Sequence, residues 1–180
     1  MESLRKLVKI PMSSGEISKI MCGKVKIILY SMIGSYSSVQ DLVEPYNATI
    51  ILYKTRKDYG HWCCTFVNNN TLYIFDSYGL PIDRELTYIP VKFRKESDQM
   101  NDYLSKLALE TMDDGYTIDY NNHVLQGDGT STCGRWCLLR LFNKDLDTDQ
   151  FFKWVKSNSS LLRLTKDEFA VLMTQCWPQI

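Results

Sequence analysis

Cys133 stands in a stretch of small and polar residues, Gln126-Gly127-Asp128-Gly129-Thr130-Ser131-Thr132-Cys133-Gly134-Arg135-Trp136, with a glutamine seven positions ahead of it. The loop opens an amphipathic run from Cys133 to Phe142, so the cysteine is expected at a helix N-terminus. The positive end of the helix dipole favours thiolate over thiol there. A nearby amide side chain, Gln126, can donate to an oxyanion that forms when a thiolate adds to a carbonyl. These two groups suit thiol-dependent acyl chemistry, which also needs a base.

His61 supplies a candidate base. Gly60-His61-Trp62-Cys63-Cys64-Thr65-Phe66-Val67 and Thr71-Leu72-Tyr73-Ile74-Phe75-Asp76 are rich in aromatic and β-branched residues and flank Asn68-Asn69-Asn70. The pattern predicts a β-hairpin. A two-residue loop at Asn68-Asn69, where Asn tolerates the left-handed backbone, pairs Val67 with Asn70 and sets His61 directly opposite Asp76. Opposed residues have Cβ atoms roughly 4.5–5.5 Å apart, close enough for a carboxylate to orient an imidazole. A three-residue loop instead opposes Trp62 to Asp76. Taken singly, Cys133 reads more readily as a small buried hydrophobe, His61 as a strand histidine and Asp76 as a turn residue. Together each fills a role that the others require. The expected geometry is Nδ1 of His61 on Asp76 and Nε2 toward the Cys133 sulfur.

The order His61-Trp62, then Phe75-Asp76-Ser77-Tyr78-Gly79-Leu80-Pro81-Ile82-Asp83, then Gln126, then Cys133-Gly134 resembles the adenain and SUMO-protease clan of cysteine peptidases. It is most similar to the small maturation proteases of adenoviruses, virophages and related large DNA viruses. The likeness spans roughly residues 13 to 143, and its specific part is confined to these blocks. Adenovirus proteases carry Glu where Asp76 stands. The resemblance implies Cys133 as nucleophile, His61 as general base, Asp76 as the group orienting it, and Gln126 with the Cys133 backbone N–H as the oxyanion hole. It places Trp62 at the site wall or substrate channel, although Trp62 equally fits a strand aromatic packed on the core. It gives Gly134 the task of allowing close packing just after the nucleophile. It also implies cleavage after small residues, often Gly, in capsid or scaffold precursors, within the virion and the host cytoplasm. A deubiquitinase or deSUMOylase acting on a ubiquitin-like modifier would use the same chemistry. An acyltransferase and an inactive interaction module are further alternatives. An activating peptide or nucleic acid enters by family analogy only.

Composition sets bounds. The chain has 180 residues, 44% of them hydrophobic, with 21 basic and 21 acidic side chains. That suits one domain, residues 1–180, with a substantial core. The charge balance offers no net field to nucleic acid. No apolar stretch is long enough to span a membrane, and the charged N-terminal segment lacks a signal-peptide core, so secretion is not expected. The sequons at Asn47, Asn69 and Asn158 are then read as chance. The six cysteines, Cys22, Cys63, Cys64, Cys133, Cys137 and Cys176, are expected reduced. No Cys-x-x-Cys pair is present, and no metal or other cofactor is expected, although His61 and Cys63 share a strand face. Cys137 is expected in the core. His123 is a competing base without an equally placed acid, read as surface or substrate-proximal.

The elements that must hold these residues read as α+β: a mixed central sheet carrying His61 and Asp76, packed against a helix whose N-terminus carries Cys133, with the site in the groove between them. Ser13 and Glu16 form a capping-box signature for a helix to about Met21. Further helices are expected over Ser38 to Val43, Ser97 to Met112, Thr148 to Lys156 and Thr165 to Cys176. In the longest, Met100, Leu104, Leu107 and Leu109 supply the apolar content. Ala48 to Tyr53 and Tyr116 to Tyr120 read as strands, and Pro81 to Leu86 as a short helix or turn.

Overall fold

The computed structural model describes residues 2–175. Its helices are α1 (Glu2–Leu7), α2 (Ser14–Ile20), α3 (Val39–Val43), α4 (Val91–Glu96), α5 (Tyr103–Asp113), α6 (Cys133–Phe142), α7 (Thr148–Leu161) and α8 (Lys166–Gln175). The strands are β1 (Lys26–Leu29), β2 (Ala48–Arg56), β3 (Tyr59–Asn68), β4 (Thr71–Phe75) and β5 (Thr117–Tyr120). They form one sheet in the order β1-β2-β3-β4-β5. The outer pairs run parallel and the inner pairs antiparallel, so the fold is α+β around a mixed sheet.

Strand alternation sends consecutive side chains to opposite faces and gives the sheet two cores. Ile50, Trp62, Cys64, Phe66 and Phe75 pack with Trp136, Leu138, Phe151 and Phe169 of α6, α7 and α8. Ile51, Tyr53, Cys63, Leu72 and Ile74 face Tyr30, Leu42, Leu104 and Leu107 on the other side. Helix α6 begins at Cys133 as the sequence predicts, but it is not amphipathic in place. Every residue from Cys133 to Leu141 is buried, because α7 and α8 close over the side that the sheet leaves open. The two arginines in this buried stretch are accommodated by polar partners: Arg135 donates to Thr174 Oγ1 (3.0 Å), and Arg140 to the carbonyls of Asn143 and Leu146 (both 2.8 Å). A helix buried all round is a core element, and its first turn is held as firmly as the core.

Three expectations change. The helix predicted over Ser97 to Met112 starts only at Tyr103, and α4 lies ahead of it. The break follows from Gln99, whose buried amide accepts from Lys54 N (3.0 Å) and donates to Lys54 O (2.9 Å) beside the bulge in β2. Neighbouring Asp98 takes a positive φ of 54°. Leu104 and Leu107 enter the core, whereas Met100 and Leu109 are exposed. Helix α7 runs past Lys156 to Leu161 because Asn158 bonds back to the Trp154 carbonyl (2.8 Å) and Ser159 to the Lys156 carbonyl (3.3 Å). The Ser13–Glu16 capping box is present, and Thr165 and Glu168 cap α8 reciprocally. Cys176, the predicted end of that helix, lies outside the described residues. No helix among the described residues is long and apolar enough to cross a membrane.

Candidate active site

The hairpin turns at Asn69-Asn70, one residue later than predicted. Both have positive φ (47° and 58°), as a type I′ turn requires. Asn68 pairs with Thr71, Val67 with Leu72 and Cys64 with Phe75. His61 is therefore not directly opposite Asp76; continuing this register puts Asp76 opposite Cys63 and Tyr78 opposite His61. The displacement is two residues along β4, so the faces are preserved. His61 and Asp76 become diagonal neighbours, whose separation of about 7–8 Å is within reach of a long or aromatic side chain. The ring spans it with its distal nitrogen: His61 Nε2 lies 3.0 Å from Asp76 Oδ1. This reverses the expected use of the two nitrogens, since only the tip of the imidazole reaches a diagonal partner. Nδ1 is left for other groups, and the Cys63 and Cys133 sulfurs both act on the ring.

The position of the site also differs from expectation. His61 pairs across β2 with Tyr53, on the face away from α6, whereas Trp62 points to the α6 side. The β3–β4 ladder stops at Cys64 and Phe75. The segment Asp76-Ser77-Tyr78 continues beyond that end of the ladder and lays the Tyr78 ring on His61, so the His61–Asp76 pair lies at the sheet end on the face away from α6. Gly134 lets the start of α6 pack closely on Met12, Ile17 and Trp62. A Cβ there would stand 3.1 Å from Met12 Cβ and 3.3 Å from both Ile17 Cδ1 and Trp62 Cδ1. Trp62 donates from Nε1 to the Met12 carbonyl (3.0 Å) and is 7% exposed. It belongs to the core and also lines, with Cys133, a cleft of about 610 Å³ that runs past Met12, Leu29 and Leu52.

Asp76 and its two successors bind the other parts together. Asp76 Oδ1 also accepts from the Tyr78 backbone N–H (2.7 Å), and the Tyr78 ring stacks on His61 with centroids 4.9 Å apart. Gln126 is buried; its Oε1 accepts from Ser77 Oγ (2.8 Å), and its Nε2 donates to the Thr130 carbonyl (3.1 Å) and to Tyr78 Oη (3.2 Å). The turn depends on Gly79, at φ +68°, where a Cβ would stand 2.8 Å from the His123 carbonyl.

A brace that sequence reasoning missed comes from α8. Asp167 accepts from Gly127 N (2.8 Å), Trp136 Nε1 (3.0 Å) and the Thr132 hydroxyl. It thus ties both ends of the loop between Gln126 and Cys133. Its only sequence signal is an acid in the first turn of a helix, an ordinary surface feature. His123 does have an acid after all: its Nε2 lies 2.8 Å from Asp149 Oδ1, and its ring stacks on Phe152 at 4.0 Å. Asp149 was hidden from the sequence argument because α7 brings it in from 26 residues away.

Burial by itself lowers the pKa of His61. Opposing it, the neighbouring Cys63 sulfur and the hydrogen bonds with Asp76 and Cys133 raise it, and the balance lies well above the ordinary histidine range. Burial pushes the Cys63 thiol well up, and the Asp76 carboxylate beside it adds to the rise. Ligand atoms of His61, Cys63 and Asp76 lie within 4.8 Å of one another, a spacing a metal ion accepts, but His61 Nε2 and Asp76 Oδ1 are already committed to each other. A raised folded-state pKa favours the folded protein fully below the unfolded value of about 6.5, and this contribution disappears as pH climbs through the folded value. The stability difference between wild type and His61→Gln, measured by urea unfolding, is therefore expected to shift against wild type from pH 6 to pH 9. A shift in favour of wild type contradicts the charge assignment.

Among known proteins, the sequence is 37% identical over 177 residues to Uncharacterized protein V9 of Sputnik virophage, covering 97% of this chain and 99% of that one. The chain belongs to the family of this virophage protein. No family model matches it. A solved structure of ChlaDub1 from Chlamydia trachomatis aligns over 95% of this chain and 94% of its own, with a TM-score of 0.42 and 14% identity.

Proposed function

We propose that the protein is a thiol endopeptidase acting on capsid or scaffold precursors during virion maturation, cleaving after small residues such as Gly. The carrying observation is a buried His61–Asp76 pair with Cys133, at the start of a fully packed helix, among the sulfurs that act on the imidazole. In this reading the Cys133 sulfur attacks the peptide carbonyl and His61 delivers the proton to the leaving amine. Gln126 and the Cys133 backbone N–H hold the oxyanion. Water, deprotonated by His61, then cleaves the thioester and restores the thiol. The cleft ending at Trp62 and Cys133 offers the acyl side of the substrate an apolar bed. The sequence resemblance supports a viral precursor and activity in the virion and host cytoplasm, and the virophage relative supports the viral setting; the reading takes one catalytic domain over residues 1–180 and no cofactor.

Coexpression with candidate capsid proteins, read by mass spectrometry of new termini, tests this. New termini after small residues, lost in the Cys133→Ala variant, are expected. Intact precursors together with rapid cleavage of ubiquitin or SUMO fluorophore conjugates reverse the substrate assignment in favour of a modifier-directed hydrolase.

A further inference from the structure

Ser77 lies between the acid and the stacked tyrosine, fully buried, and donates from Oγ to Gln126 Oε1 (2.8 Å). Its carbonyl accepts from the backbone N–H groups of both Leu125 and Gln126 (2.9 Å each). An amide side chain is nearly symmetric in shape, and only its hydrogen-bond partners decide which end carries the donors. The Oε1 end of Gln126 meets a hydroxyl that can give or take a proton. Nε2 meets the Thr130 carbonyl, which only accepts, and the Tyr78 hydroxyl at 3.2 Å. Among these contacts the Tyr78 bond is the longest. A carbonyl oxygen acquiring charge is a stronger acceptor than a phenol, so it can take that N–H over while Ser77 and Thr130 keep the amide in place.

We infer that Ser77 is a positioning residue that acts through Gln126, anchoring the oxygen end of an amide whose nitrogen end the Thr130 carbonyl turns toward Tyr78. This rests on the thiol peptidase reading. It gives the consecutive residues Asp76 and Ser77 parallel tasks, the first orienting the base and the second the oxyanion donor. One turn, closed by the Gly79 N–H on the Asp76 carbonyl (3.0 Å), thereby aligns two parts of the site that are distant in sequence.

The test separates steps that build an oxyanion from steps that do not. Iodoacetamide alkylates a thiolate by displacement at saturated carbon, with loss of iodide and no oxyanion. A peptide aldehyde ending in glycinal adds reversibly to the same sulfur and places its oxygen in the oxyanion position. Aldehyde affinity, measured as protection of Cys133 from alkylation, is expected to fall about a hundredfold in Gln126→Ala and on the order of tenfold in Ser77→Ala. The alkylation rate and its pH profile should stay within about twofold of wild type in Ser77→Ala. Ser77→Thr, which keeps the hydroxyl, should restore aldehyde affinity. The Ser77→Ala, Gln126→Ala double variant should match Gln126→Ala, since a residue acting through Gln126 has nothing left to position. Equal loss of alkylation and aldehyde binding in Ser77→Ala, or losses that multiply in the double variant, overturns the inference. Failure of wild-type Cys133 to form either adduct, read by intact mass, overturns the peptidase reading itself and is distinguishable from both.

Discussion

Cys133→Ala is expected to reduce precursor cleavage by on the order of 10⁶-fold, the scale on which removing a nucleophile disables a hydrolase. Among the described residues, no other thiol near the site can replace it. Cys64 and Cys137 are fully buried between β3 and α6, and burial pushes the Cys137 thiol well above its ordinary range. Cys63 sits against His61 and Asp76 but is likewise driven to the neutral thiol, first by burial and then by the Asp76 charge. Cys133 is the one that also lines the cleft. The substitution exchanges a small side chain for a slightly smaller one at a helix start, so the melting temperature should hardly move. That makes the kinetic result clean: a single-turnover rate above about one per cent of wild type, in a folded protein, sinks the nucleophile assignment. Cys133→Ser should also be nearly inactive, because a hydroxyl beside this imidazole is far less ionised than a thiol.

How far the sequence carries this site depends on the range of each interaction. Local signals hold well. The Ser13–Glu16 box and the Asn-rich turn are set by caps and backbone preferences within a few residues, and α6 starts at Cys133 as its sequence implies, although Thr132 gives it no side-chain cap. The hairpin was legible as a hairpin, but three consecutive asparagines leave its turn ambiguous by one residue. That residue moves Asp76 from opposite His61 to the diagonal and so decides which ring nitrogen it meets. The brace from Asp167, the Asp149 partner of His123 and the Gln99 clasp on Lys54 all join residues at least 26 positions apart. Each is an ordinary polar side chain in sequence, and only the packing of α7, α8 and the α4–α5 connection gives it a partner. The total burial of α6 has the same origin: the run from Cys133 to Phe142 reads as amphipathic, and its Arg135 and Arg140 find partners only once Thr174 and the carbonyls of Asn143 and Leu146 are brought to them.

The diagonal placement of Asp76 leads to a second large effect with an internal control. One carboxylate oxygen, Oδ1, accepts from both His61 Nε2 and the Tyr78 backbone N–H. Asparagine can keep its own Oδ1 in that position, so Asp76→Asn preserves both hydrogen bonds and the ring orientation while removing the charge. Asp76→Ala removes both. Orientation and charge therefore separate: kcat/KM is expected to fall about 10⁴-fold in Asp76→Ala, the scale of loss when the acid no longer holds the right tautomer, and by less in Asp76→Asn, where Oδ1 still accepts from the ring. The pH profile gives the sign of the charge contribution. Asp76 is among the groups that hold the His61 pKa up, against a burial that lowers it. Neutralising it lowers that pKa, so the alkaline limb, where the imidazolium loses its proton, should move to lower pH in Asp76→Asn. Equal losses in the two variants mean that the carboxylate acts by charge alone. A wild-type rate in Asp76→Asn means that it acts by geometry alone. An alkaline limb that stays in place while the rate falls removes Asp76 from control of His61 and leaves it as an anchor for the Tyr78 backbone.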